Sequence, residues 1–127
     1  VNAFPVPGTW SIRQIVVHLM ESDLIASDRM KRIACMPHPL LMGYDESAFA
    51  ELPGVHDLDL SLVCDVFEKN RLLTADILRH LPSETYQRYG IHSESGKVTL
   101  EYMVKAYIDH LDHHMVFLRK KRQILLG

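Results

Sequence analysis

Three of the chain's eight histidines fall within five consecutive positions, His110, His113 and His114 of Asp109-His110-Leu111-Asp112-His113-His114. On a helix, residues four apart lie about 40° from one another around the axis, so His110 and His114 project from nearly one side and can grip a single ion. His110 and His113 share that geometry less well. The run Met103, Tyr107, His110, His114, Leu118 follows one stripe beside or within an apolar face, which turns the two imidazoles inward. A buried imidazole without a partner costs about 1–3 kcal/mol, so two on one stripe ask for a shared solution.

His18 sits in a separate segment, Ile15-Val16-Val17-His18-Leu19, among apolar neighbours. Alone it reads as a satisfied core or boundary histidine. Together with His110 and His114 it completes three imidazoles from two helices, the ligand set of catalytic zinc-type sites that leave one coordination position for water or substrate. The plainer alternative is a partly exposed histidine pair on a polar rim.

The elements that must carry these residues are helical. Ser11 and Gln14 form a capping-box pattern, and Ile12, Ile15, Val16, Leu19, Ala26, Met30 and Ile33 recur at helical steps until Pro37 forbids continuation. From Met36 to Asp57 the prolines and glycines predict a long crossover with one helical turn over Asp45 to Leu52. A second helix runs from Leu58 or Leu60 to His80, with Val63, Val66, Phe67, Leu73, Ile77, Leu78 and Leu81 inward and Pro82 as its stop. After the connector PSETYQRYGIHSESGK, Thr99 caps a third helix reaching roughly Gln123. No segment offers a convincing period-two strand and no repeat is visible, so the class is all-α, an antiparallel helical bundle in a single domain over residues 1–127.

Composition fits that reading. At 127 residues and 47% hydrophobic content the chain can bury one core without staples. A formal net charge of −2 gives no large field, so neither nucleic acid nor an anionic membrane is expected as a partner. Arg119-Lys120-Lys121-Arg122 lacks interleaved aromatics and reads as a solvated helix end. Cys35 and Cys64 have no ligand-type spacing and are expected to be buried or inert in a reduced, cytoplasmic protein; no signal peptide or membrane span is apparent.

Other chemistry-bearing side chains read first as ordinary ones. Glu21 and Asp23 could orient an imidazole or accept a proton, against simple exposure on the helix face. Asp109 and Asp112 carry the same ambiguity. Arg71 could hold an anionic substrate, against a surface position, and Tyr107 could place a substrate through its hydroxyl, against a place in the core. His38, His56, His80 and His92 fall in loops or at helix ends and are expected to be exposed.

The stretches TWSIRQIVVHLMESD and SESGKVTLEYMVKAYIDHLDHH together resemble the DinB/YfiT-like superfamily of metal-binding four-helix bundles, over Trp10 to Leu118. The resemblance implies ligands at His18, His110 and His114, with His113 adjacent but outside the coordination sphere. It implies one divalent metal, zinc or nickel foremost, with iron or manganese also accommodated. It further implies a metal-dependent hydrolase, or a transferase using a low-molecular-weight thiol, acting on a small-molecule substrate; a non-catalytic assembly module is the alternative. Only nine residues precede Trp10 where the family usually places a further helix. The expectation is therefore three long helices, with the fourth absent or supplied by a partner chain in a homodimer.

Overall fold

The computed structural model describes residues 10–110. Helix α1, Ile12–Cys35, opens on the predicted capping box: the Ser11 hydroxyl accepts from the Gln14 amide at 3.1 Å, and the Gln14 side chain accepts from the Ser11 amide at 2.9 Å. It ends ahead of Pro37, and Arg88 closes that end by donating to the carbonyls of Ile33 and Met36, each at 3.0 Å. The predicted turn in the crossover is α2, Glu46–Ala50, capped by Asp45. Helix α3, Leu60–Arg79, starts at the Asp59 cap and packs along α1. Helix α4 occupies residues 100–110 at the end of the described chain, and the Thr99 hydroxyl accepts from the Tyr102 amide at 3.1 Å, as its predicted cap should.

The core forms where these helices meet. Met30 and Ile33 of α1 close on Leu41 and Leu100, with Leu78, Leu81, Met103 and Tyr107 packed around them. A second cluster joins Val17 of α1 to Val55 and Val63. Along α1 even polar residues are enclosed, including Gln14, His18, Asp23 and Ser27, because helix, loop and hairpin surround it. Helix α3 is the contrast: Val63 and Thr74 alone are buried, and Leu73, assigned inward by periodicity, is 60% exposed beside equally open Leu62 and Leu72.

The helical class holds, but strands are present where none was expected. A small three-stranded sheet is present in the order β1-β2-β3, with β1 (Leu40–Leu41) parallel to β2 (Tyr89–His92) and β2 antiparallel to β3 (Gly96–Thr99). Its strands are too short to show a period, and their pairing is decided by contact between segments some fifty residues apart. Gly90 makes that contact possible, since a Cβ there would lie 2.9 Å from the Pro39 carbonyl oxygen. The sheet anchors the crossover to the hairpin that launches α4, and so sets where α4 begins relative to α1.

Candidate metal centre

His18 lies in the second turn of α1 and is 4% exposed. Across from it, His110 on α4 is half-buried, and the two Nε2 atoms stand 3.3 Å apart with their rings at 80° to one another. Two imidazole nitrogens each about 2.0–2.1 Å from a tetrahedral ion would be separated by about 3.3–3.4 Å. The separation matches the edge that such a site would have. It is also long for an N–H···N hydrogen bond between the rings. As a donor set, the pair fits a divalent metal of the imidazole-preferring kind.

Neighbouring side chains hold His18 in this pose. Trp10 meets its ring edge-on, with centroids 4.9 Å apart. One turn on, the Ser22 hydroxyl oxygen is 3.3 Å from Nδ1 and 3.4 Å from Nε2, so it flanks the ring without selecting a tautomer. Ser22 is itself tied at 2.7 Å to the hydroxyl of Tyr44, which arrives from the crossover. Burial pushes the Tyr44 hydroxyl above its ordinary pKa, against the lowering effect of the Ser22 bond, so this phenol stays protonated and able to donate.

A cavity of about 230 Å³ opens beside this cluster, bounded by Ser22, Ala26 and Arg29 of α1, by Tyr44, and by Met103 and His110 of α4. His110 therefore reaches both the partner imidazole and a space for a ligand. His114, the expected third ligand, and His113 lie outside the described residues, and so does the predicted extension of α4 to Gln123. Among the described residues no group of three His, Cys, Asp or Glu side chains gathers as an ion site.

The remaining candidates are distributed otherwise. Asp23 is the largest correction: read as a solvated charge, it is 2% exposed and bound by Arg71 Nε at 2.9 Å and by the Asn70 amide at 2.7 Å. Arg71 borders the cavity, but its guanidinium is committed to Asp23, donates to the Tyr107 carbonyl at 3.0 Å and stacks 3.9 Å from the Tyr107 ring centre. It is a strut between α1, α3 and α4 rather than a surface cation. The Tyr107 hydroxyl is buried without a hydrogen bond of ordinary geometry; burial first, then the Asp23 carboxylate, raise its pKa well above normal. Glu21 is half-buried, which raises its carboxyl, and stands outside the cavity wall.

Asp109 is exposed as expected, and so are His38, His56 and His80, while His92 is half-buried with Nδ1 accepting from the amides of Glu94 and Ser95. Cys35 and Cys64, expected to be buried or inert, are both exposed, because neither falls on the inner face of its helix. Ser22, Tyr44 and Arg29 also border this site. Ser22 was findable, being one helical turn after His18; Tyr44 sits in a loop whose path no periodicity reports.

Comparison with known proteins gives the family and the fold. The family described as the DinB superfamily matches residues 1–118. The chain belongs to the DinB superfamily. A protein of Oceanobacillus iheyensis is 29% identical over 108 residues, covering 85% of this chain and 62% of its own length, and YfiT of Bacillus subtilis is 28% identical over 109 residues. Both carry the name "Putative metal-dependent hydrolase". This DinB-superfamily chain thus spans less than two thirds of the length of these relatives. The solved structure of B. subtilis YfiT, described as "a probable metal-dependent hydrolase with an unusual four-helix bundle topology", superposes with a TM-score of 0.92 at 25% identity, covering 98% of this chain and 71% of that one. The fold class is therefore a mostly helical, YfiT-type four-helix bundle, to which the small sheet is an addition. Among the described residues no helix is long and apolar enough to cross a membrane.

Proposed function

We propose that the chain binds one divalent metal, zinc or nickel foremost, through His18 and His110 with His114 as the third ligand, and acts as a metal-dependent hydrolase. The observation that carries this is the 3.3 Å approach of the two Nε2 atoms across α1 and α4, at the edge of a cavity. Kinship with proteins named as metal-dependent hydrolases supports the same reading. A divalent ion on three imidazoles lowers the pKa of a water it binds toward about 7 and polarises a bound oxygen or sulfur.

The protein's own part is placement. Trp10 and Ser22 fix the His18 ring, His110 faces the cavity, and the neutral Tyr44 hydroxyl can donate to a substrate oxygen near the reacting centre. Apolar Leu19, Ala26 and Met103 line the cavity beside these polar groups. Transfer to a low-molecular-weight thiol would use the same open position with sulfur as the nucleophile.

Metal analysis of untagged protein tests the assignment. About one equivalent per chain is expected, lost in His18→Ala, His110→Ala and His114→Ala, together with any hydrolysis of an ester and amide panel. Undiminished stoichiometric binding in the His110 variant would remove it.

A further inference from the structure

Arg29 is the cation of the cavity wall that the ligand pair does not explain. It lies eleven residues after His18 on α1, which is three turns and about 20° of rotation, so the two share a helix face. Side chains lean toward the helix N-terminus, so its guanidinium is carried back toward Ser22 and Tyr44. It is half-buried, lines both this cavity and the groove along Leu40, Leu41 and Met42, and donates one terminal N–H to the Met42 carbonyl.

Arg71 holds Asp23, Arg32 holds Asp28 and Arg79 meets Asp76, whereas Arg29, like Arg88 at the end of α1, meets backbone carbonyl and no carboxylate among the described residues; of these two, Arg29 is the one that lines the cavity. Arg29 lies near enough to Tyr44 to act on its hydroxyl, which burial first, and then Glu46 and Glu21, keep protonated. A fork of N–H groups beside a phenol O–H is a seat for an anion, and it lines the same cavity as His110. Glu46 borders the cavity as well, but it is exposed and water screens it.

Resting on the metal-site reading above, we infer that this cavity selects small substrates with a carboxylate at one end, held by Arg29 and Tyr44, and the reacting group at the other, against His18 and His110. A carboxylate suits the seat better than a phosphate dianion, which calls for a second cation, and Arg71 is already bound to Asp23.

The test uses the lone tryptophan, Trp10, as an optical reporter at the His18 edge. Binding of 6-mercaptohexanoate and of 6-mercaptohexanol is followed by Trp10 fluorescence in metal-loaded and in metal-stripped protein. The acid is expected to bind about tenfold or more tightly than the alcohol in wild type, a preference lost in Arg29→Met and largely kept in Arg29→Lys. Affinity for the alcohol should be unchanged in both variants, which reports an intact cavity. If Arg29→Met misfolds, the Lys variant and the wild-type acid-to-alcohol ratio decide.

Equal affinity for acid and alcohol in wild type, or a preference that survives Arg29→Met, overturns the anion seat while leaving the metal assignment intact. Absence of metal binding overturns the metal assignment, and the acid-to-alcohol ratio in stripped protein still judges the seat. Tighter binding of 6-mercaptohexyl phosphate than of the acid would replace a carboxylate by a phosphate and so overturn the inference as stated.

Discussion

Two polar clusters sit little more than a turn apart on α1, and they are built to opposite ends. At Asp23 a buried carboxylate is saturated by Arg71 and Asn70, every strong charge matched. At His18 two neutral-capable rings aim their nitrogens at one another across a gap the width of a metal site, with a cavity alongside. The first arrangement is spent on holding α1, α3 and α4 together. The second brings imidazole nitrogens together beside a space for a ligand. Burial of polar groups is common to both, so burial alone does not distinguish a strut from a site; whether the donors converge on each other or on an opposite charge does.

That contrast can be broken from either side. The largest effect is expected from His110→Ala, which should abolish metal uptake altogether while the metal-free protein loses no more than about 1 kcal/mol of stability, as for a half-buried side chain away from the core. Metal analysis and urea melts of the stripped protein check both halves. Arg71→Ala should do the reverse: about 3 kcal/mol of stability lost through the unpaired Asp23 carboxylate, with metal affinity per folded molecule unchanged. Equal damage by both variants to both properties would merge the clusters into one.

Ser22→Ala sharpens the comparison at smaller scale. Removing the hydroxyl that flanks His18 should weaken metal binding roughly tenfold, the size seen when partners of ligand imidazoles are deleted, and isothermal titration would show it. Smallest of all is Tyr107→Phe. The change removes a buried hydroxyl that makes no ordinary hydrogen bond, keeps the ring stacked on Arg71, and should alter stability at pH 7 by less than about 0.5 kcal/mol.

The same variant carries a pH signature. With its pKa raised in the folded state, Tyr107 holds its proton more tightly folded than unfolded, so its contribution is fully present below the unfolded tyrosine value of about 10 and is lost as pH rises beyond it. Tyr107→Phe should therefore flatten the alkaline fall in stability above pH 10. A slope unchanged by the substitution would place that loss elsewhere.

Much of this was legible before any coordinates. Ser11 and Gln14 announced the start of α1, Pro37 its end, the turn over Asp45 to Leu52 the place of α2 and Thr99 the cap of α4, because caps and breakers act through bonds only a few residues long. His18 and His110 were legible as inward-facing residues for the same local reason. Leu73 was misread because periodicity reports that a helix has an apolar side without saying whether anything packs on it. Asp23 was misread because its partners, Asn70 and Arg71, lie nearly fifty residues away.

The sequence by itself determined the helices, their limits and the imidazoles available for a metal, since these depend on neighbours within one or two turns. Only the tertiary structure decided that His18 and His110 meet at 3.3 Å, that Asp23 is a strut, and that Arg29 and Tyr44 share a cavity wall with the histidines. The first depends on where α4 is launched, and that is fixed by a small sheet in which a local hairpin, β2 and β3, is joined to β1 some fifty residues earlier in the chain.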